Sequence, residues 1–513
     1  MAGFYVGLAA PVHAQVLTTQ YDNARTGATL TETVLTPANV NQARFGKLFT
    51  MKVDGDVYAQ PLYLPRVEIP GKGVHDVVFV ATEHDSVYAF DAAGSPLEPL
   101  WQVNLLAAFS GATTVPAADV NCPFIRPEIG ITPTPAIDRH TGTLYVLARS
   151  KEPSGLIQHR YVQRLHALAI TTGAEKMGGP VEMQASVAGT GAGASGGKVA
   201  FDGLRELPRA GLLLTGGQVY LTWASSCDVG PYHGWVMAYD AGTLKQTAVF
   251  NTSPDADDSG IWQADNGPAV DAAGNVYVVT GNGTFDVTEK GRDYGDTVLK
   301  LHLAGDRFEV RDSFTPSDQA KLNAGDLDLG STGPVVVPDQ PGSRAHLVLA
   351  GGKNGVAYVI DRDGMGRALQ TLTFPDGLYA APAYWNGHLF FLASEDHLKD
   401  YALKDGRLSD APVATGAQKF LNPGAPPAVS ANGTRDAIVW VIETKVWNAW
   451  NMQKPSVLHA YDAANVAHEL YNSEQNSARD RAGMTVRFTI PTIAGGRVYI
   501  GTKGEVDTYG LLK

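Results

Sequence analysis

Two carboxylates stand two residues apart in the segment LNAGDLDLGSTGPVVV, Leu322 to Val337: Asp326 and Asp328, glycine-bounded and just ahead of an apolar run. The pair is either a solvated turn or the acid/base end of an active site, since a carboxylate placed near a reacting hydroxyl serves as a general base. Lys353 follows in AGGKNGVAYVIDRDG, where Asn354-Gly355 is also the strongest short hairpin signal. Asp228 in SSCDVGPYHG and Asn282 in VYVVTGNGT sit in loops rich in Gly and Pro. There Asp and Asn cap turns by bonding their own backbone, so each alone reads as structural. His166 and His459 fall on strands and read as packed side chains, and the YHGW run at 232–235 offers too few ligands for a metal centre. No carboxylate pair marks a sugar-cleaving hydrolase or lyase.

A repeated unit must position these residues. A Pro-containing apolar strand, a strand of type V-Y-V-x-T, a short Gly/Asp/Asn loop and a strand of type V-Y-A-Y-D-A ending in a Gly turn recur along the chain. Clear copies are VVFVATEHDSVYAFDAAG, ending at Gly94, VYLTWASSCDVGPYHGWVMAYDAG, ending at Gly242, and LVLAGGKNGVAYVIDRDG, ending at Gly364. With degenerate copies at 144–173 and 438–465 the count is about eight, spaced roughly 40 to 60 residues apart, which suits propeller blades. The last copy, VYIGTKGEVDTYGLL, has no room for a fourth strand, while FGKLFTMKV at 45–53 precedes the first blade without a partner. Pairing the two closes the ring and removes its open edges.

The expected fold is therefore all-β, an eight-bladed β-propeller closed by pairing an N-terminal strand with the C-terminal blade. A parallel α/β sheet is disfavoured, because no amphipathic helical stretch separates the strands. The expected organisation is a signal peptide over 1–14, an N-terminal arm over 15–44 and a single propeller over 45–513. Loops entering each innermost strand and loops joining the second and third strands share one face, the funnel. Asp228, Asn282 and Lys353 belong to that face, as do other polar residues such as Glu128 and Arg209. Cys122 and Cys227 fall on it in adjacent blades, where a bridge is geometrically reasonable.

Composition narrows the partner. The 513 residues are 44% apolar and 18% charged, with 56 Gly and 30 Pro, a globular and turn-rich balance. A net charge of −12 without long runs of one sign argues against nucleic acid or a basic membrane patch and for a small or neutral ligand. The opening MAGFYVGLAAPVHAQ ends in a small-residue pattern that suits cleavage after Ala14, which predicts a periplasmic or secreted protein. Its first Lys or Arg is Arg25, so the true start is expected either to lie upstream or to have been clipped. No later apolar run is long enough to span a membrane. Two cysteines exclude a cysteine-rich zinc site, and no C-x-x-C-H haem attachment exists, so any electrons leaving the chain need an external acceptor.

The repeat resembles the pyrroloquinoline quinone (PQQ) repeat over nearly the whole chain from about residue 45. In its middle blades the chain resembles the quinoprotein alcohol and glucose dehydrogenases. By that resemblance Asp228 matches a calcium-binding carboxylate, for which the family prefers Glu, and Asn282 of T-G-N matches a calcium ligand. Trp262 in SGIWQADNGP matches the tryptophan that stacks under the quinone. Asp326 matches the catalytic base of a W-D-Y-D-like sequence, with Gly325 in place of Trp, and Asp328 is expected to be structural. Lys353 matches the cation that contacts the quinone oxygens and the base. Arg126 in NCPFIRPEIG matches an Arg that partners a cofactor carboxylate, although the adjacent cysteine pair of the family is missing.

The resemblance thus implies Ca2+ held by Asp228, Asn282 and Asp326, PQQ held by Arg126, Trp262 and Lys353, and Asp326 and Lys353 as catalytic groups. The function it implies is oxidation of an alcohol or sugar hydroxyl. The alternative is a non-catalytic propeller that binds a protein, peptide or glycan on its funnel face and keeps a degenerate cofactor pocket.

Overall fold

The computed structural model describes residues 14–264, 266–444 and 454–513; the expected signal segment, through residue 13, lies outside them. Eight small antiparallel sheets form a β-propeller, with very little helix. Blade 1 joins Leu62–Ile69, Gly73–Ala81, Ser86–Asp91 and Trp101–Asn104 in chain order, each strand paired with the next. Blade 3 repeats this with Leu213–Thr215, Gln218–Ser225, Trp235–Asp240 and Gln246–Asn251. Blade 2 takes its strands from 136–182, and blades 4 to 7 take theirs from 269–314, 335–373, 383–419 and 428–472.

Inner and middle strands are apolar on both faces because each is sandwiched between neighbouring blades. Val77 to Ala81 are all buried, and so is the whole of Ser86–Asp91. Period-two alternation survives only where a face meets solvent. The cores lie between blades: Tyr145, Leu147 and Leu165 of blade 2 pack on Trp223, Trp235 and Met237 of blade 3, and similar clusters link the blades that follow.

The ring closes as the N-terminal strand requires. Phe45–Asp56 runs antiparallel to Arg497–Leu511, from Phe45 opposite Leu511 to Asp56 opposite Lys503, and completes a blade begun by Thr492–Ala494. Phe45 is fully buried and stacks edge-on against Tyr471 at 5.0 Å and near Trp440 at 5.5 Å, so the closure is packed as well as hydrogen-bonded.

Residues 16–29 cross the base of the ring and bond to the inner strand, or the residue entering it, of every blade. Val16 pairs with Tyr63 in blade 1, and the Leu17 carbonyl accepts from Ile137 N–H in blade 2. The Thr18 hydroxyl donates to the Leu212 carbonyl at blade 3. Asn23, Ala24, Thr26 and Gly27 accept through their carbonyls from Val270, Val336, Tyr384 and Val429 in blades 4 to 7. The Tyr21 hydroxyl donates to the Pro491 carbonyl at blade 8. Ala28–Thr29 then adds in parallel to Ala428–Asn432. Arg25 is fully buried at the centre of this crossing and makes five hydrogen bonds, four of them to the carbonyls of Pro268, Thr19, Asp22 and Leu212.

Candidate active site

The loop after Val276–Val279 carries Thr280, Gly281 and Asn282. Gly281 lies where a side chain would run into the Asp328 carboxylate and the Trp262 ring, so a residue without Cβ is required there. Asn282 N–H donates to Asp328 Oδ1 at 2.7 Å, and its side-chain NH2 donates to Asp326 Oδ1 at 2.8 Å. That donor contact fixes the amide orientation. Its Oδ1 is left buried with no hydrogen-bond donor.

The D-x-D segment follows a short helix, Gln319–Ala324, that ends at Gly325. Asp326 takes a left-handed φ of 52°, and the chain then enters a single 3-10 turn, Leu329–Ser331. This reversal sends the two carboxylates different ways. The Asp326 side chain is 69% exposed at the rim, whereas that of Asp328 is 3% exposed and faces the cavity. Lys353 Nζ lies 2.8 Å from Asp326 and 2.5 Å from Asp328, and its own N–H donates to the Asp328 carbonyl at 2.9 Å. Burial works to lower the Lys353 pKa, but the Asp328 and Asp326 carboxylates outweigh it and hold the ammonium above the ordinary lysine range.

Asp228 comes from the loop between the middle strands of blade 3, where Cys227 and Asp228 both have positive φ. Cys227 is joined to Cys122 of the loop leading into blade 2. The Tyr232 hydroxyl donates to Asp228 at 2.7 Å. Burial raises the Asp228 pKa; the Tyr232 bond opposes this, and Asp328 adds to it. Trp262 is fixed by its neighbours: Ile261 N–H donates to the Trp223 carbonyl and Gln263 N–H to the Gly330 carbonyl.

Asp228, Trp262, Asp328 and Lys353 line one cavity of about 160 Å³, together with the disulfide. Asn282 and Asp326 are bonded to this group from its rim. Arg126 is half-buried and is not part of the lining; Arg209, Arg487, Tyr58, Phe124, Phe488 and Tyr379 are. Arg209 was among the funnel-face residues of the sequence reading. Arg487 was not, yet both precede an inner strand by a few residues, in PRAGLLLT and RFTIPTIA, and that shared position is the signal that finds it.

Among the described residues no three His, Cys, Asp or Glu side chains converge as a metal-binding group. The oxygen donors present are mixed: the Asp228 and Asp328 carboxylates that line the cavity and the unbonded Asn282 Oδ1. Hard oxygen donors of this kind suit Ca2+, and a buried amide oxygen without a donor is the atom a cation would satisfy. In donor type, the residues present fit the ion.

No family model and no curated protein matches this chain. Solved structures do. The quinohemoprotein alcohol dehydrogenase ADHIIG from Pseudomonas putida HK5 superposes with a TM-score of 0.63 at 15% identity, over 97% of this chain and 80% of that one. The quinohemoprotein alcohol dehydrogenase from Comamonas testosteroni gives 0.60 at 15%, with the same coverage. A europium-containing methanol dehydrogenase gives 0.63 at 13%, over 97% of this chain and 98% of that one. The chain thus shares the propeller fold of quinoprotein alcohol and methanol dehydrogenases, at sequence identities that speak to fold alone.

Proposed function

We propose that this protein is an exported quinoprotein-type oxidoreductase that oxidises an alcohol or sugar hydroxyl, with PQQ and Ca2+ as cofactors. The observation that carries the reading is the bridge of Lys353 to both carboxylates of the D-x-D turn at the mouth of a cavity walled by Trp262 and Asp228. The fold it shares with quinoprotein dehydrogenases supports it.

In this reading Asp228, Asn282 Oδ1 and a carboxylate of the D-x-D turn hold Ca2+, and Trp262 offers a flat apolar face to the quinone. When bound, the pair supplies a two-electron acceptor and a Lewis acid. The chain's own residues handle the proton. Asp328 is the carboxylate in reach of a ligand in the cavity, so it replaces Asp326 as the base that takes the hydroxyl proton. Asn282 N–H and Lys353 orient Asp328 for that transfer. Lys353 Nζ also stands ready to stabilise a developing oxyanion. Asp326, tied to Lys353 and Asn282 at the rim, positions both and remains a candidate calcium ligand. The substrate loses a proton and a hydride equivalent and leaves as the carbonyl compound. With no C-x-x-C-H haem attachment in the sequence, the electrons pass to an external acceptor.

Reconstitution tests this. Adding PQQ with Ca2+ should give the bound-quinone absorbance and dye reduction with some member of a panel of alcohols and sugars. Absence of binding at micromolar quinone overturns the enzyme reading and favours a non-catalytic propeller.

A further inference from the structure

Cleavage after Ala14 would leave Gln15 as the first residue of the chain. That boundary suits the base of the ring. Val16 is fully buried, its N–H donates to the Tyr63 carbonyl at 2.8 Å and its own carbonyl accepts from Tyr63 N–H at 2.9 Å. Leu17 follows with its bond to Ile137. Removal of the residues through Ala14 therefore spares the bonds by which the crossing segment holds blades 1 and 2, and Gln15 alone stands ahead of them. Gln15 is half-buried, and its side-chain carbonyl is already engaged: Oε1 accepts from Arg139 Nη1 at 2.7 Å. Arg139 is exposed and stands just past Ala136–Asp138, the inner strand of blade 2.

A terminus placed there has two chemical properties. Left unmodified, it adds a positive charge to the residue that Arg139 already binds, one position ahead of a fully buried valine, and the two cations repel. In its neutral form the α-amine is a nucleophile, and the carboxamide of its own side chain lies within reach through a five-membered ring. The Arg139 N–H on Oε1 draws electrons from Cδ and stabilises that oxygen as it gains negative charge during attack. Glutamine is the uncharged residue whose side chain length permits this closure, and it is the residue present at the boundary.

We propose that Gln15 becomes the first residue on export and closes to pyroglutamate against Arg139, which seats a neutral cap at the start of the crossing segment. The α-nitrogen attacks Cδ of its own side chain and the new C–N bond forms the lactam. The bond from Cδ to the side-chain nitrogen breaks, and that nitrogen takes the proton shed by the amine and leaves as ammonia. No oxidant or other co-reactant enters. The ring keeps the carbonyl oxygen, so the bond to Arg139 outlasts the reaction while the terminal charge is removed. The inference rests on the export part of the proposed function and not on the chemistry of the funnel.

Intact-mass measurement and N-terminal peptide sequencing by mass spectrometry test this on protein purified from the cells that make it. The chain should begin at residue 15 and lack one ammonia relative to the open glutamine form. A different first residue overturns export at this boundary and the proposal with it. A chain that begins at residue 15 with its glutamine open leaves export standing and overturns the closure alone. The part played by Arg139 is read on the chain released with Gln15 first from a cleavable N-terminal fusion. Closure at neutral pH should run about three- to tenfold faster in the folded chain than in urea, below the roughly 10²- to 10³-fold of an enclosed donor because Arg139 is exposed. Arg139→Met should remove that difference, and the comparison of folded with unfolded wild type stands even if the variant does not fold. Equal rates in the two wild-type states overturn the assignment to Arg139. Pyroglutamate at residue 15 in a protein that binds no quinone supports this inference and removes the proposed reaction instead.

Discussion

Lys353 balances two carboxylates of unequal burial, and that inequality separates their roles. Asp328, almost fully enclosed, has the ammonium at 2.5 Å and an N–H at 2.7 Å; Asp326 meets water at the rim. Asp328→Asn should lower turnover of the reconstituted enzyme by about 10²- to 10⁴-fold, the usual worth of a positioned base, with quinone binding retained. Asp326→Asn should cost less than about tenfold. Steady-state dye reduction and quinone titration on both variants check the assignment, and the opposite ranking returns the base to Asp326. Glu83 makes a pH-dependent contribution elsewhere on this face. Burial raises its pKa from 4.5 to about 7. The folded state thus binds the proton more tightly than the unfolded chain. The stability this gives is complete below about pH 4.5 and is lost as pH rises through about 7, by no more than about 3 kcal/mol. Urea midpoints of the wild type should fall between pH 5 and pH 8, and Glu83→Gln should reduce that fall.

Single loops, each set by its own blade, deliver the site. The disulfide is the covalent tie among them: Cys122 and Cys227 are 105 residues apart in sequence, one in the loop into blade 2 and the other beside Asp228. Closing a loop of that length restricts the unfolded chain by about 4 to 5 kcal/mol in the chain-entropy description, and measured values more often reach 2 to 4. The Cys122→Ser, Cys227→Ser double variant should therefore lose about 2 to 4 kcal/mol in urea unfolding. It should also bind Ca2+ more weakly, because Asp228 loses its tether. Unchanged calcium affinity would separate the disulfide from the site. Blade elements were legible in the sequence because strand alternation and Gly turns are local signals, and the closing strand at 45–53 was legible because an unpaired apolar strand demands a partner. The same-face placement of Cys122 and Cys227 followed from blade geometry alone. The difference in burial between Asp326 and Asp328 did not. It depends on a left-handed φ and a single 3-10 turn, which set side-chain direction without changing the local pattern. Arg487 was hidden for another reason: it meets Arg209 only when blade 8 has come round the ring.

Across the whole molecule, the base is held by the first segment of the described chain. Arg25 is fully buried and bonded to carbonyls from blades 3 and 4 as well as its own turn. Its replacement leaves those oxygens without donors in a dry interior, at about 1 to 3 kcal/mol for each group so stranded. Arg25→Met should accordingly lower the thermal midpoint by several degrees and raise hydrogen exchange at the inner strands around the ring. A loss confined to blade 3 would show that the crossing segment acts locally and does not hold the ring as a unit.

That crossing also sets an order on biosynthesis. Residues 16–29 precede every blade along the chain, yet Tyr21 waits for Pro491, and Phe45 waits for Leu511. Neither bond can form until the last blade has been synthesised. Until then the nascent protein carries an unpaired closing strand in the open. A polypeptide truncated before its last blade therefore lacks its seam and leaves the Tyr21 hydroxyl without its acceptor, and should be more readily cleaved by proteases than the full chain.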